Sequence, residues 1–112
     1  MAVDLRVDDE TDAFLGSTNS NALSAFRWAI RKVQKGQVAL LKKTGTSDVN
    51  LFAQTQQIPM FAYGPGDSRL DHTETEHVRI SEYLASTEVY AYALARLAER
   101  ATESKSPPSV PQ

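Results

Sequence analysis

Apolar side chains along this chain recur in two rhythms, one of two residues and one of three to four, and each rhythm assigns an element. Val3, Leu5 and Val7 alternate with polar neighbours and predict a short strand over 3–7. Ala22, Leu23, Phe26, Ala29, Ile30 and Val33 repeat at three and four, predicting a helix over 22–34. Ser20 or Asn21 is placed to cap it and Gly36 to stop it. Trp28 lies off this stripe and is expected to pack on a neighbouring element. Val38 to Leu41 reads as a second strand and Val49 to Ala53 as a short helix. The unbroken apolar run Ile58 to Tyr63 suits a strand buried on both faces. A helix from Glu82 to about Arg100, capped by Ser81, should bury Ile80, Tyr83, Leu84, Thr87, Ala91, Leu94, Ala95 and Ala98. Tyr90 and Tyr92 fall elsewhere, so this helix should meet more than one neighbour. Strand, helix, strand, short helix, strand, long helix predicts an α/β fold with a short parallel sheet flanked by helices.

Composition changes this picture little. At 112 residues the chain is one domain at most, and 41% apolar content can supply a core. A net charge of −2 offers no bulk attraction for nucleic acid or anionic membrane, so neither is expected as a partner. The five basic residues between Arg31 and Lys43 read as a solvated helix face with strand flanks. The absence of cysteine excludes disulfides, thiolate metal sites and a Cys nucleophile, and fits a cytoplasmic location. The N-terminal residues do not read as a signal peptide, and no apolar run reaches the roughly 20 residues that cross a bilayer. The acidic run Asp8 to Asp12 lacks the spacing of a calcium loop and reads as a solvated turn.

Candidate chemistry collects at two turns. Thr44-Gly45-Thr46-Ser47-Asp48 precedes the short helix, where free amides attract an anion; the plainer reading is a cap by Ser47 or Asp48. Gly64-Pro65-Gly66 ends the apolar run and leads into Asp67-Ser68-Arg69-Leu70-Asp71-His72. His72 and His77 are the only histidines, and their spacing with Glu76 misses the inverted zinc motif by one residue. Taken alone, His72 reads as a surface histidine, and Arg69 as either a carboxylate partner or a surface ion pair.

Taken together, Lys43 to Asn50 and then Pro59 to His77 resemble the C-terminal part of the dinuclear zinc aminoacylase and carboxypeptidase family. That family includes acetylornithine deacetylase and succinyl-diaminopimelate desuccinylase. The likeness is greatest to its lysine-biosynthesis branch, which releases lysine or ornithine from an amino-group carrier protein. It covers roughly residues 14–100. The resemblance implies that His72 is the last zinc ligand. It implies that Thr46, Ser47, Asp48, Gly64 and Gly66 receive the substrate, and that Glu76 supports the ligand. Residues 1–19 would be the return strand of the inserted lid and dimerisation domain with its linker. Residues 20–101 would close the catalytic domain, and 102–112 would be a disordered tail.

The family's remaining ligands, a His-x-Asp unit and several carboxylates, and its Glu-Glu general base lie upstream and are absent here. The chain therefore reads as the last third of an enzyme: a split gene product, a truncated reading frame or a deliberately cut piece. The implied reaction is amide hydrolysis by two zinc ions (cobalt being the alternative), which polarise the carbonyl and activate a shared water. The implied partners are a small amide or a carrier-linked amino acid, the N-terminal part of the enzyme, and a second copy in the complete dimer. Alone, the segment should be inactive. The competing readings are a non-catalytic folded remnant, a partner-binding fragment, and an anion-binding module at Thr44 to Asp48.

Overall fold

Residues 2–8, 10–43, 45 and 47–105 are described by the computed structural model, with side chains as far as Glu103. Three α-helices and one 3₁₀ turn make up the regular structure: α1 (Asn21–Gln34), α2 (Asp48–Thr55), the 3₁₀ turn (Ser68–Leu70) and α3 (Ile80–Lys105). No described helix is long and apolar enough to cross a membrane. The chain divides into two units, one of 1–17 with 40–62 and the other of 18–39 with 63–112.

The second unit holds the core. Helix α1 begins where Ser20, in extended backbone, accepts the N–H of Leu23 on its hydroxyl at 3.1 Å. It ends at Lys35, not at Gly36. Lys35 takes the left-handed conformation (φ 54°), and its N–H donates to the Arg31 carbonyl at 2.9 Å. Val33 and Gln34 share a cavity with Ser81 and Ala85, whereas Trp28 meets Tyr92 and Arg96, so α1 and α3 run antiparallel. Their seam is built from small residues. Ala25 and Ala29 of α1 and Ser86, Val89 and Ala93 of α3 are buried, with Leu23 and Phe26 beside them. The Ser86 hydroxyl stays satisfied by donating to the Tyr83 carbonyl at 2.7 Å.

The face of α3 expected to be buried is the exposed one. Ile80 and Leu94 keep 78% and 58% of their surface in solvent, and Leu84 is likewise exposed. Two helices approach most closely where both carry small side chains, so the alanine seam won over the bulkier stripe. Aromatic rings flank the seam. Phe26 meets Tyr90 edge-on at 5.1 Å, and Tyr63 lies 5.7 Å from Phe26 and 5.6 Å from Tyr90. Trp28 meets Tyr92 edge-on at 6.1 Å.

The first unit has no buried residue among those described. Asn50 of α2 donates through its side-chain amide to the Asp12 carbonyl at 3.0 Å. Gly16 lies directly against the Met60 carbonyl.

The expected α/β sheet is not formed. Residues 3–7, 38–41 and 58–63 are irregular, and no strand occurs among the described residues. The parallel sheet and the lid-domain return strand therefore have no counterpart here. The reason lies in what an apolar pattern encodes. It reports which side chains favour burial, but a strand exists only when its N–H and C=O groups meet a neighbouring backbone. Without that pairing these segments leave their side chains in water, with Leu5 91% exposed.

Candidate functional site

The loop that leaves the aromatic cluster carries most of the candidate chemistry. Tyr63 is its anchor: its ring packs on Phe26 and Tyr90, and its carbonyl accepts the Tyr90 hydroxyl at 2.7 Å. Burial, followed by the neighbouring Tyr90, pushes the Tyr63 phenol above its usual pKa, against a hydrogen bond from Gln34. Gly64-Pro65-Gly66 then turns the chain. Gly66 adopts φ +104°, open only to glycine, and sits against Val78.

The next turn is tied together by short-range hydrogen bonds. The Asp67 carboxylate accepts the Arg69 N–H at 2.9 Å and pairs with its guanidinium at 2.7 Å. These side-chain and backbone bonds from Arg69 hold the Asp67 carboxyl down to about 2. Arg69 is thus committed to a neighbour two residues away. The backbone continues with Asp71 N–H to Ser68 O at 3.2 Å and Thr73 N–H to Leu70 O at 3.0 Å.

His72 sits in the middle of this turn with φ 62°, one of two non-glycine residues recorded in the left-handed region. Its N–H donates to the Glu76 carboxylate at 3.4 Å, and its side chain is exposed. Glu76 therefore supports the backbone of His72. His77 is separately engaged: its Nδ1 lies 2.6 Å from the Thr75 carbonyl and must carry the proton there. The two histidines lie on irregular backbone, as α3 starts only at Ile80.

A cavity of about 600 Å³ opens beside this loop, lined by Gly64, Pro65 and Gly66, by Tyr63, and by Val33, Gln34, Ser81, Glu82 and Ala85 of the two helices. Of the expected substrate residues, Gly64 and Gly66 thus share a cavity wall, and His72 belongs to the turn that follows them. Ser47 and Asp48 belong to the other unit, at the start of α2. There Ser47 is the N-cap, and its N–H donates to the Asn50 side chain at 3.0 Å. Asn50 therefore organises this turn by bridging Ser47 and Asp12. Sequence reasoning gave it no role, although an amide three residues after a serine cap is a capping-box signal. Thr44 and Thr46 lie outside the described residues, as does 106–112 of the expected tail. Helix α3 occupies 102–105.

A dinuclear centre needs several converging donors. Among the described residues no three His, Asp or Glu side chains come together to hold an ion, and His72 supplies a single imidazole. The described residues do not by themselves complete such a site.

The sequence pattern of peptidase family M20/M25/M40 matches residues 3–96. The [LysW]-lysine hydrolase of Deinococcus radiodurans is 49% identical over 78 residues, which are 69% of this chain and 21% of that protein. A putative [LysW]-lysine/[LysW]-ornithine hydrolase of Pyrococcus furiosus is 40% identical over 89 residues, 80% of this chain and 27% of its own length. The [LysW]-lysine/[LysW]-ornithine hydrolase of Saccharolobus solfataricus is 33% identical over 93 residues, 83% and 26% of the respective chains. The chain thus spans between 21% and 27% of the length of these relatives.

Proposed function

The chain belongs to peptidase family M20/M25/M40, and we propose that it forms part of a zinc-dependent hydrolase releasing lysine or ornithine from a carrier-protein conjugate. The names of the similar proteins support this substrate class. We assign His72 the role of one zinc ligand, with the other donors and the general base coming from outside this chain. The family resemblance assigns substrate binding to Gly64 and Gly66 and, separately, to Thr46, Ser47 and Asp48. Since the described residues do not complete a metal site, no step of the hydrolysis is assigned to this chain, and alone it should not turn over.

The observation that carries the reading is the backbone of His72. A non-glycine residue in left-handed conformation costs about 1–2 kcal/mol, a cost His72 bears within the turn. On our reading that cost is borne to hold the imidazole at a fixed place in the turn that follows the glycines of the cavity wall. The bare apolar stripe of α3 supports the companion claim that the chain works against further protein, since such surface is rarely left to water.

The test is a chimera in which residues 14–100 replace the corresponding segment of the Deinococcus radiodurans relative. Lysine release from the carrier conjugate should survive the exchange. His72→Ala should then remove most of it and His77→Ala far less. Full activity in the His72→Ala chimera would refute the ligand assignment, and a larger loss at His77 would move it.

A further inference from the structure

On the flank of α1 lies a second cavity, of about 360 Å³, lined by Thr18, Asn19, Ser20, Ser24, Arg27 and Arg31. Its chemistry differs from that of the glycine-lined cavity. Every lining residue can donate a hydrogen bond, two carry a full positive charge, and no carboxylate is among them. Arg27 and Arg31 are four residues apart on α1, so their charges face the same side of the helix and repel.

The Nε of Arg27 is buried and has no hydrogen-bond partner. Arg27 as a whole is only half-buried and lines the cavity, so an anion there would meet the outer nitrogens of its guanidinium, with the Nε enclosed behind them. One other guanidinium nitrogen shares this condition, the Nε of Arg96, but that group lies 4.3 Å from the centre of the Trp28 ring and is stabilised by stacking. Among the described residues no ring covers Arg27. We infer that the Arg27–Arg31 cavity binds an oxyanion, a carboxylate or a phosphoryl group, held by the two guanidinium forks and the hydroxyls of Thr18, Ser20 and Ser24. A planar guanidinium accepts either group through paired N–H···O bonds, and a negative charge between the two arginines removes their repulsion. The Ser20 oxygen already accepts from Leu23, which leaves its own O–H to donate outward. This site is formed within one unit and does not depend on metal or on the hydrolase reading.

The test uses the whole 112-residue chain, labelled so that the arginine Nε–H signals are read by NMR. Inorganic phosphate and acetate are titrated separately, with chloride holding the ionic strength constant. The Arg27 signal should shift and saturate with at least one of them, and Arg31→Gln should weaken that binding by about tenfold or more. Tighter binding of phosphate identifies a phosphoryl site and tighter binding of acetate a carboxylate site. A response that saturates with neither anion, or that Arg31→Gln leaves unchanged, overturns the inference. Arg31 is exposed, so its replacement leaves the buried seam of α1 and α3 intact.

Discussion

Replacing His72 by glycine separates what its backbone needs from what its ring does. At φ 62° an L-residue carries about 1–2 kcal/mol of steric cost. Glycine removes that cost but adds freedom to the unfolded chain worth about 0.5–1 kcal/mol. The balance is a change of roughly 0 to 1.5 kcal/mol in favour of glycine. Alanine keeps the strained backbone and deletes only an exposed ring, so it should stay within about 0.5 kcal/mol of the parent. The glycine form should therefore exceed the alanine form by about 1 kcal/mol, which at a typical urea dependence is roughly 0.5 M in midpoint. Equilibrium urea unfolding of the chain, followed by helix circular dichroism, measures this directly. In the chimera both substitutions should abolish lysine release. A glycine form less stable than the parent by more than about 1 kcal/mol would show the imidazole to be a structural fixture of the turn, and the argument from strain would fail.

Three further outcomes are expected. The Asp67 carboxyl is depressed to about 2 from 3.8, so its pairing with Arg69 adds stability above pH 3.8 that is lost as pH falls through 2. A carboxyl NMR titration should show this, and Arg69→Ala should return the midpoint toward 3.8; an unshifted midpoint in the parent refutes it. Gly16→Ala would drive a Cβ into the Met60 carbonyl and should cost about 1–3 kcal/mol, read as earlier loss of protection in the first unit by hydrogen exchange. Ala93→Leu should overpack the helix seam by about 1–3 kcal/mol, whereas Leu94→Ser, one position away on the bare stripe, should change urea stability by no more than about 0.5 kcal/mol. The reverse order of effects would restore the other face of α3 to the core.

Local signals in the amino-acid order were enough for α1, a cap at Ser20 or Asn21, the glycine turn and the polar loop that carries His72. They depend on neighbours within a few residues, such as a hydroxyl three positions before an amide, and so can be read without knowing what lies opposite. The motif pair that resembles the zinc hydrolases was equally local, and the family match over 3–96 agrees with it. The tertiary structure alone decided which face of α3 is buried and whether the runs 38–41 and 58–63 are strands. Both questions turn on a partner: a helix buries whichever side another helix can approach closely, and an extended backbone becomes a strand only beside a second one. The pairing of Arg27 and Arg31 with three hydroxyls in one cavity was hidden for a related reason. In the sequence these residues are an ordinary charged helix face, and it takes the folded chain to enclose a guanidinium nitrogen without a partner.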